Sequence, residues 1–143
     1  MSIRVLGSGP IPDRGLIDTS VAVALGAIEV DRLPLEIAVS ALTLAELAGG
    51  PAAAADASVR AVRLERLQRI EAAFEALPFD PACARAFGRV CAAVIAAGRK
   101  PRGAHIVDLM IAATAVAHQI PLYTLNAADL RGLDDLVQVV DLG

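Results

Sequence analysis

The chain is short of several residue types, and each shortage excludes a class of chemistry. It has two cysteines and two histidines in 143 residues. Cys83 and Cys91 fall on one predicted helix, about 12 Å apart along its axis at ~1.5 Å per residue. A disulfide needs Cα atoms within about 7 Å, so the two cannot bridge each other inside that helix. No Cys-x-x-Cys and no Cys/His zinc spacing occurs. His105 and His118 have neither metal-ligand nor catalytic-triad spacing. Lys100 is the only lysine, beside twelve arginines, and the net charge is −3. The chain as a whole is therefore not a basic nucleic-acid binder, although basic residues can still cluster at the rim of an acidic site. Long apolar runs are missing too. Apolar residues make up 56% of the chain and mean hydropathy is +0.59. Yet no stretch reaches the ~18 uncharged apolar residues that a membrane span needs. Met1 to Asp13 has no apolar core and no convincing cleavage site, so no secretory signal is expected. Reduced thiols in a cytoplasmic protein are the matching expectation.

What is present reads as one α/β domain. Residues 1–14 hold Gly7, Gly9, Pro10 and Pro12 and are expected to be an irregular extension, with a single domain over 15–143. Short apolar runs at Leu16–Asp18, Ile37–Ser40, Leu122–Leu125 and Val137–Val140 are predicted strands. Helices are predicted over Thr19–Ala27, from Ser40 or Thr43 to the Gly49-Gly50-Pro51 break, over Val59–Leu77, from Pro81 to about Ala97, and over Asp108–Gln119. In the Val59–Leu77 helix, Leu64, Leu67, Ile70, Phe74 and Leu77 recur every three or four residues. Arg60, Arg63, Arg66 and Arg69 line another face. One or two strand residues are expected just before Phe79-Asp80-Pro81. Such alternation implies a central parallel sheet of four to five short strands, covered by helices on both faces.

Four acids then stand out. Asp18 ends the first predicted strand. Glu46 lies about one turn into the second helix. Asp108 sits in the first turn of its helix, and Asp129 lies just past the strand at Leu122. Open α/β sheets bind ligands outside the carboxyl ends of their strands, and all four acids can reach that edge. Taken singly, each has a plainer reading. Asp18 is a helix cap, Glu46 a solvated helix residue, Asp108 a carboxylate favoured by the helix dipole, and Asp129 a turn residue. Taken together they make a pocket for a hard, oxygen-seeking cation, Mg²⁺ or Mn²⁺, beside a phosphodiester. Crowded carboxylates repel, so raised pKa values are expected there without the ion. A nuclease of this kind needs no Ser, Cys or His nucleophile.

The stretches Leu16-Ile17-Asp18-Thr19-Ser20, Thr43-Leu44-Ala45-Glu46-Leu47, Asp108 to Ala115 and Pro121 to Leu130 resemble, in order and spacing, the PIN-domain family. The likeness extends over residues 15–141 and is specifically to VapC-type toxins of bacterial toxin–antitoxin pairs. The resemblance implies a metal-dependent endoribonuclease that cuts tRNA or rRNA. It also implies a homodimer that joins a VapB-type antitoxin in a hetero-oligomer. By position, Asp18, Glu46 and Asp108 match the family's acids. Either Asp129 or Asn126 matches the fourth, and Asp129 is favoured because it carries charge. Thr19, Ser20 and Thr124 match hydroxyl positions near the metal. Arg99, Lys100 and Arg102 form a basic loop before Asp108, placed to contact RNA. Leu130 stands where an aromatic residue is common. Two alternatives remain at this stage: a catalytically inactive module that binds RNA or antitoxin, and a phosphotransferase working through an aspartyl phosphate on Asp18. The second lacks the Asp-x-Asp pattern, since Ser20 stands at its second position.

Overall fold

The structure, a computed structural model, describes the backbone of residues 4–6 and residues 11–143. Six strands form one sheet in the order β1-β6-β5-β2-β3-β4. They are β1 (Arg4–Leu6), β2 (Arg14–Ile17), β3 (Glu36–Ser40), β4 (Glu75–Leu77), β5 (Leu122–Thr124) and β6 (Val139–Asp141). Five run parallel, and β1 pairs antiparallel with β6. The helices are α1 (Thr19–Val23), α2 (Ala41–Ala53), α3 (Ala57–Ala73), α4 (Pro81–Ala96) and α5 (Ile106–His118).

Adjacent residues on each inner strand feed opposite cores, as the two-residue period of a strand demands. Leu16, Ala38, Leu122 and Val139 join the core beneath α4 and α5. Ile17, Val39, Tyr123 and Val140 join the core shared with α1, α2 and α3. The expected parallel sheet, buried on both faces, is what forms. Gly15 in β2 is fixed by a close approach. A Cβ there would lie 2.5 Å from Tyr123 Cε1 and 3.0 Å from the Pro34 Cβ.

Several boundaries differ from the sequence expectation. Arg4–Leu6 is an edge strand, not irregular chain; the rest of 1–10 lies outside the described residues. The helix after Asp18 is cut to five residues, and a 3-10 turn follows at Leu25–Ala27. The helix carrying Glu46 runs through Gly49-Gly50-Pro51 to Ala53. Proline forfeits a helical N–H bond, and α3 supplies donors to two carbonyls near this end of the helix. Arg63 Nη1 donates to the Gly50 carbonyl (2.9 Å) and Arg60 Nη2 to that of Ala54 (3.2 Å). The apolar period from Leu64 to Leu77 suggested one helix, but the helix stops at Ala73 and Leu77 is the buried end of β4. Register with β3, where Ser40 pairs with Leu77, overrides the local period there.

Strand order reverses at β2. The chain builds outward through β3 and β4 on one side, and through β5 and β6 on the other. The crevice between β2 and β5 is thus the switch point of the sheet, where α/β folds place ligands. Among the described residues, no helix is long and apolar enough to cross a membrane.

Candidate active site

At the end of β2 the Asp18 N–H bonds the Tyr123 carbonyl at 3.0 Å, which fixes this residue against β5. Asp18 is also the N-cap of α1. Its Oδ1 accepts from the Val21 N–H (3.1 Å) and the Ser20 hydroxyl (2.6 Å). Both bonds land on one oxygen, so Oδ2 has no hydrogen-bond partner among the described residues. Asp18 thus caps the helix and still presents its second oxygen for a site role. Ser20 Oγ also accepts from the Leu125 N–H at 3.1 Å, tying α1 to the chain leaving β5. Buried Thr124 accepts from the Asn126 N–H at 2.9 Å, which turns that chain into the 3-10 segment Ala127–Leu130.

Glu46 is exposed on α2, and Thr19 donates its hydroxyl proton to Oε1 at 2.5 Å. Thr19 Oγ1 also lies 3.0 Å from Oγ1 of fully buried Thr43. A hydroxyl has one proton. Thr19 spends its proton on Glu46, so Thr43 must donate to Thr19. This directed chain fixes Glu46 as an acceptor. Of the two residues expected to start this helix, Ser40 is the cap, accepting from the Leu42 N–H. The available signal was spacing, since Thr43 and Glu46 are three apart and share a helix face.

Asp108 lies in the first turn of α5, its side chain 43% exposed. Its carboxyl is pushed above the ordinary aspartate range, first by burial, then by the negative charges of Glu46 and Asp18. His105 opposes this, and Asp129 adds to it. The crowding expected of clustered acids is therefore present at Asp108, and it draws on all three other acids. His105 Nδ1 stands 3.9 Å from Asp108 Oδ2.

Asp18, Asp108 and Asp129, with Ser20, Thr124 and Asn126, line a small cleft holding about 250 Å³ of open space. Glu46 stands to one side of it. Larger grooves lie elsewhere, such as one of about 580 Å³ between the end of α1 and α3. They gather no comparable set of oxygens. Among the described residues, no three Asp, Glu, His or Cys side chains are drawn tightly enough to form a coordination set as they stand. The donors still suit a hard cation, since all are oxygens.

A PIN domain family profile matches residues 16–135. The chain belongs to the PIN-domain family. It is similar to Ribonuclease VapC5 of Mycobacterium tuberculosis, 36% identical over 131 residues, which cover 90% of this chain and 93% of that protein. The crystal structure of VapBC-5 from the same organism superposes with a TM-score of 0.78, covering 92% of this chain and 100% of that one at 36% identity. VapBC2 from Rickettsia felis, solved with a DNA fragment from its promoter, shares the PIN fold. Its TM-score is 0.72 at 20% identity, with 91% and 99% of the two chains covered.

The basic loop is divided. Lys100 and Arg102 are exposed. Arg99, expected at the rim to face RNA, instead directs its guanidinium onto protein. Nη2 donates to the Asp129 carbonyl (2.7 Å) and Nη1 to that of Arg131 (3.2 Å).

Proposed function

We propose that this chain is the ribonuclease toxin of a VapBC-type toxin–antitoxin pair, hydrolysing RNA phosphodiesters at the cleft between β2 and β5. One observation carries this reading: Asp18, Asp108 and Asp129 meet at the sheet's switch point, and Asp108 feels the charge of all the other acids. The similarity to Ribonuclease VapC5 over nearly the whole of both chains supports it. A bound Mg²⁺ or Mn²⁺ would polarise a phosphoryl oxygen and acidify a water.

The protein's own part is to hold the oxygens. Asp18 accepts from Ser20 and Val21 on Oδ1, and its Oδ2 meets no hydrogen-bond donor among the described residues. Thr43 and Thr19 keep Glu46 oriented as an acceptor beside the cleft. Asp108 projects from the start of α5, and Asp129 completes the acid set with Asn126 and Thr124 in support. Lys100 and Arg102 are free to meet RNA phosphates at the rim. A small VapB-type antitoxin is the partner, as in the VapBC complexes that this fold resembles, and the toxin is a homodimer. Cellular tRNA or rRNA is the expected substrate.

Sequencing RNA 5′ ends after induced expression tests the reading. Wild type should generate new ends at defined sites, and Asp18→Asn should not. Equal cleavage by purified Asp108→Asn protein would refute it. Cleavage by neither form, with intact antitoxin binding, would favour an inactive binding module.

A further inference from the structure

Of the four acids, Asp129 has the weakest local support. Asp18 is locked to β5 by its backbone, and Glu46 and Asp108 ride on helices of thirteen residues. Asp129 sits on a 3-10 segment of four residues. Helix ends leave carbonyls without partners, and a segment this short is nearly all end. Something outside it must fix its position.

That support comes from the end of α4. The helix closes in a Schellman arrangement: the Gly98 N–H bonds the Ile95 carbonyl (2.9 Å) and the Arg99 N–H that of Val94 (3.0 Å). Gly98 takes the left-handed conformation, φ +79°. This closure anchors the Arg99 backbone. Its guanidinium fork then spans the carbonyls of Asp129 and Arg131, a two-point, charge-assisted contact that lysine cannot match. Gly132 completes the seat. It has φ +93°, and a Cβ there would lie 2.9 Å from the Ala97 Cβ and 3.3 Å from the Ala93 carbonyl oxygen. The turn bearing Asp129 thus rests directly on the last turn of α4.

We propose that Arg99 is a positioning residue for the acid cleft, holding the Asp129 turn against the end of α4 through the carbonyls of Asp129 and Arg131. What the positioned acid does rests on the ribonuclease reading above; the clamp itself does not. Charge and geometry predict opposite signs. Arg99 is a cation close to a cation site, so by Coulomb's law alone its removal should tighten metal binding. If it acts by positioning, its removal should loosen metal binding, as loss of outer-shell support does.

The test is calorimetric titration of the purified full-length chain with Mn²⁺ in the absence of RNA, together with amide hydrogen exchange over residues 126–133. Arg99→Gln should weaken Mn²⁺ binding about tenfold and speed exchange at Asp129 and Leu133. Arg99→Lys should fall between it and wild type. Gly132→Ala, which changes no charge, should shift affinity in the same direction by lifting the turn. Unchanged or tighter Mn²⁺ binding by Arg99→Gln overturns the proposal, including the case where Arg99 serves only RNA. If wild type binds no Mn²⁺, the ribonuclease reading fails and exchange alone decides the clamp. Faster exchange in Arg99→Gln then supports it, and unchanged exchange overturns it.

Discussion

Replacing Asp108 by Asn should stabilise the metal-free protein and destabilise it, relative to wild type, once a divalent ion is added. The first half follows from the raised carboxyl. A folded-state pKa above the unfolded value of about 3.9 means that the native state holds the proton more tightly. The contribution from Asp108 is therefore full below that pH and lost as pH rises through the folded pKa. At pH 7 ionised Asp108 works against folding. Its side chain is 43% exposed, so solvent screening keeps the effect within roughly 0.2–1 kcal/mol. The dipole of α5 favours the carboxylate by a similar ~0.3–1 kcal/mol, already opposed by burial and three like charges. We expect a net gain of about 0.5 kcal/mol for Asp108→Asn at low salt, or ~2 °C in Tm for a domain of this size. The second half is linkage. At a metal concentration 100 times Kd, wild type gains about 2.7 kcal/mol, or ~8–10 °C, and the variant gains little. Thermal melts at pH 3 and pH 7, with chelator or with Mn²⁺, read both halves. A variant that is less stable than wild type in chelator at pH 7, or that gains as much from Mn²⁺ as wild type does, refutes the reasoning.

Three further outcomes are expected. Asp18→Asn should retain stability within about 0.5 kcal/mol, because Asn caps helices as well as Asp. Its RNA cleavage should nevertheless fall by roughly a hundredfold or more, measured on one purified sample. Gly15→Ala should lose about 1–3 kcal/mol through overpacking against Tyr123, and adding Tyr123→Leu should recover part of that in denaturant titrations. Thr43→Val should cost about 1 kcal/mol for the lost buried hydrogen bond. It should also raise the metal requirement for cleavage, whereas Thr43→Ser should restore both.

The sequence made the parallel sheet and the set of acids legible because both depend on local pattern. Leu16-Ile17 and Leu122-Tyr123 are short apolar runs that only a sheet covered on both faces can bury, and Asp18, Asp108 and Asp129 follow strands or open a helix. Contacts made across the fold were not legible. The helix run-through at Pro51 depends on Arg60 and Arg63 from another helix. The strand at Leu77 depends on its register with Ser40. Arg99 reads as a rim cation in a basic loop, and only the packing of the Asp129 turn on α4 shows what its guanidinium meets. Thr43 reads as a helix cap until Thr19, twenty-four positions away, supplies its partner.

The order of the acids along the chain has a consequence for synthesis. The acids span positions 18 to 129, and the cleft lies between strands β2 and β5, so β5 is made long after β2. No nascent fragment that stops short of β5 can assemble the cleft. A growing chain should thus lack the acid cleft until β5 has been made. Termination before β5 should yield fragments without that cleft, rather than a chain with a partly formed one.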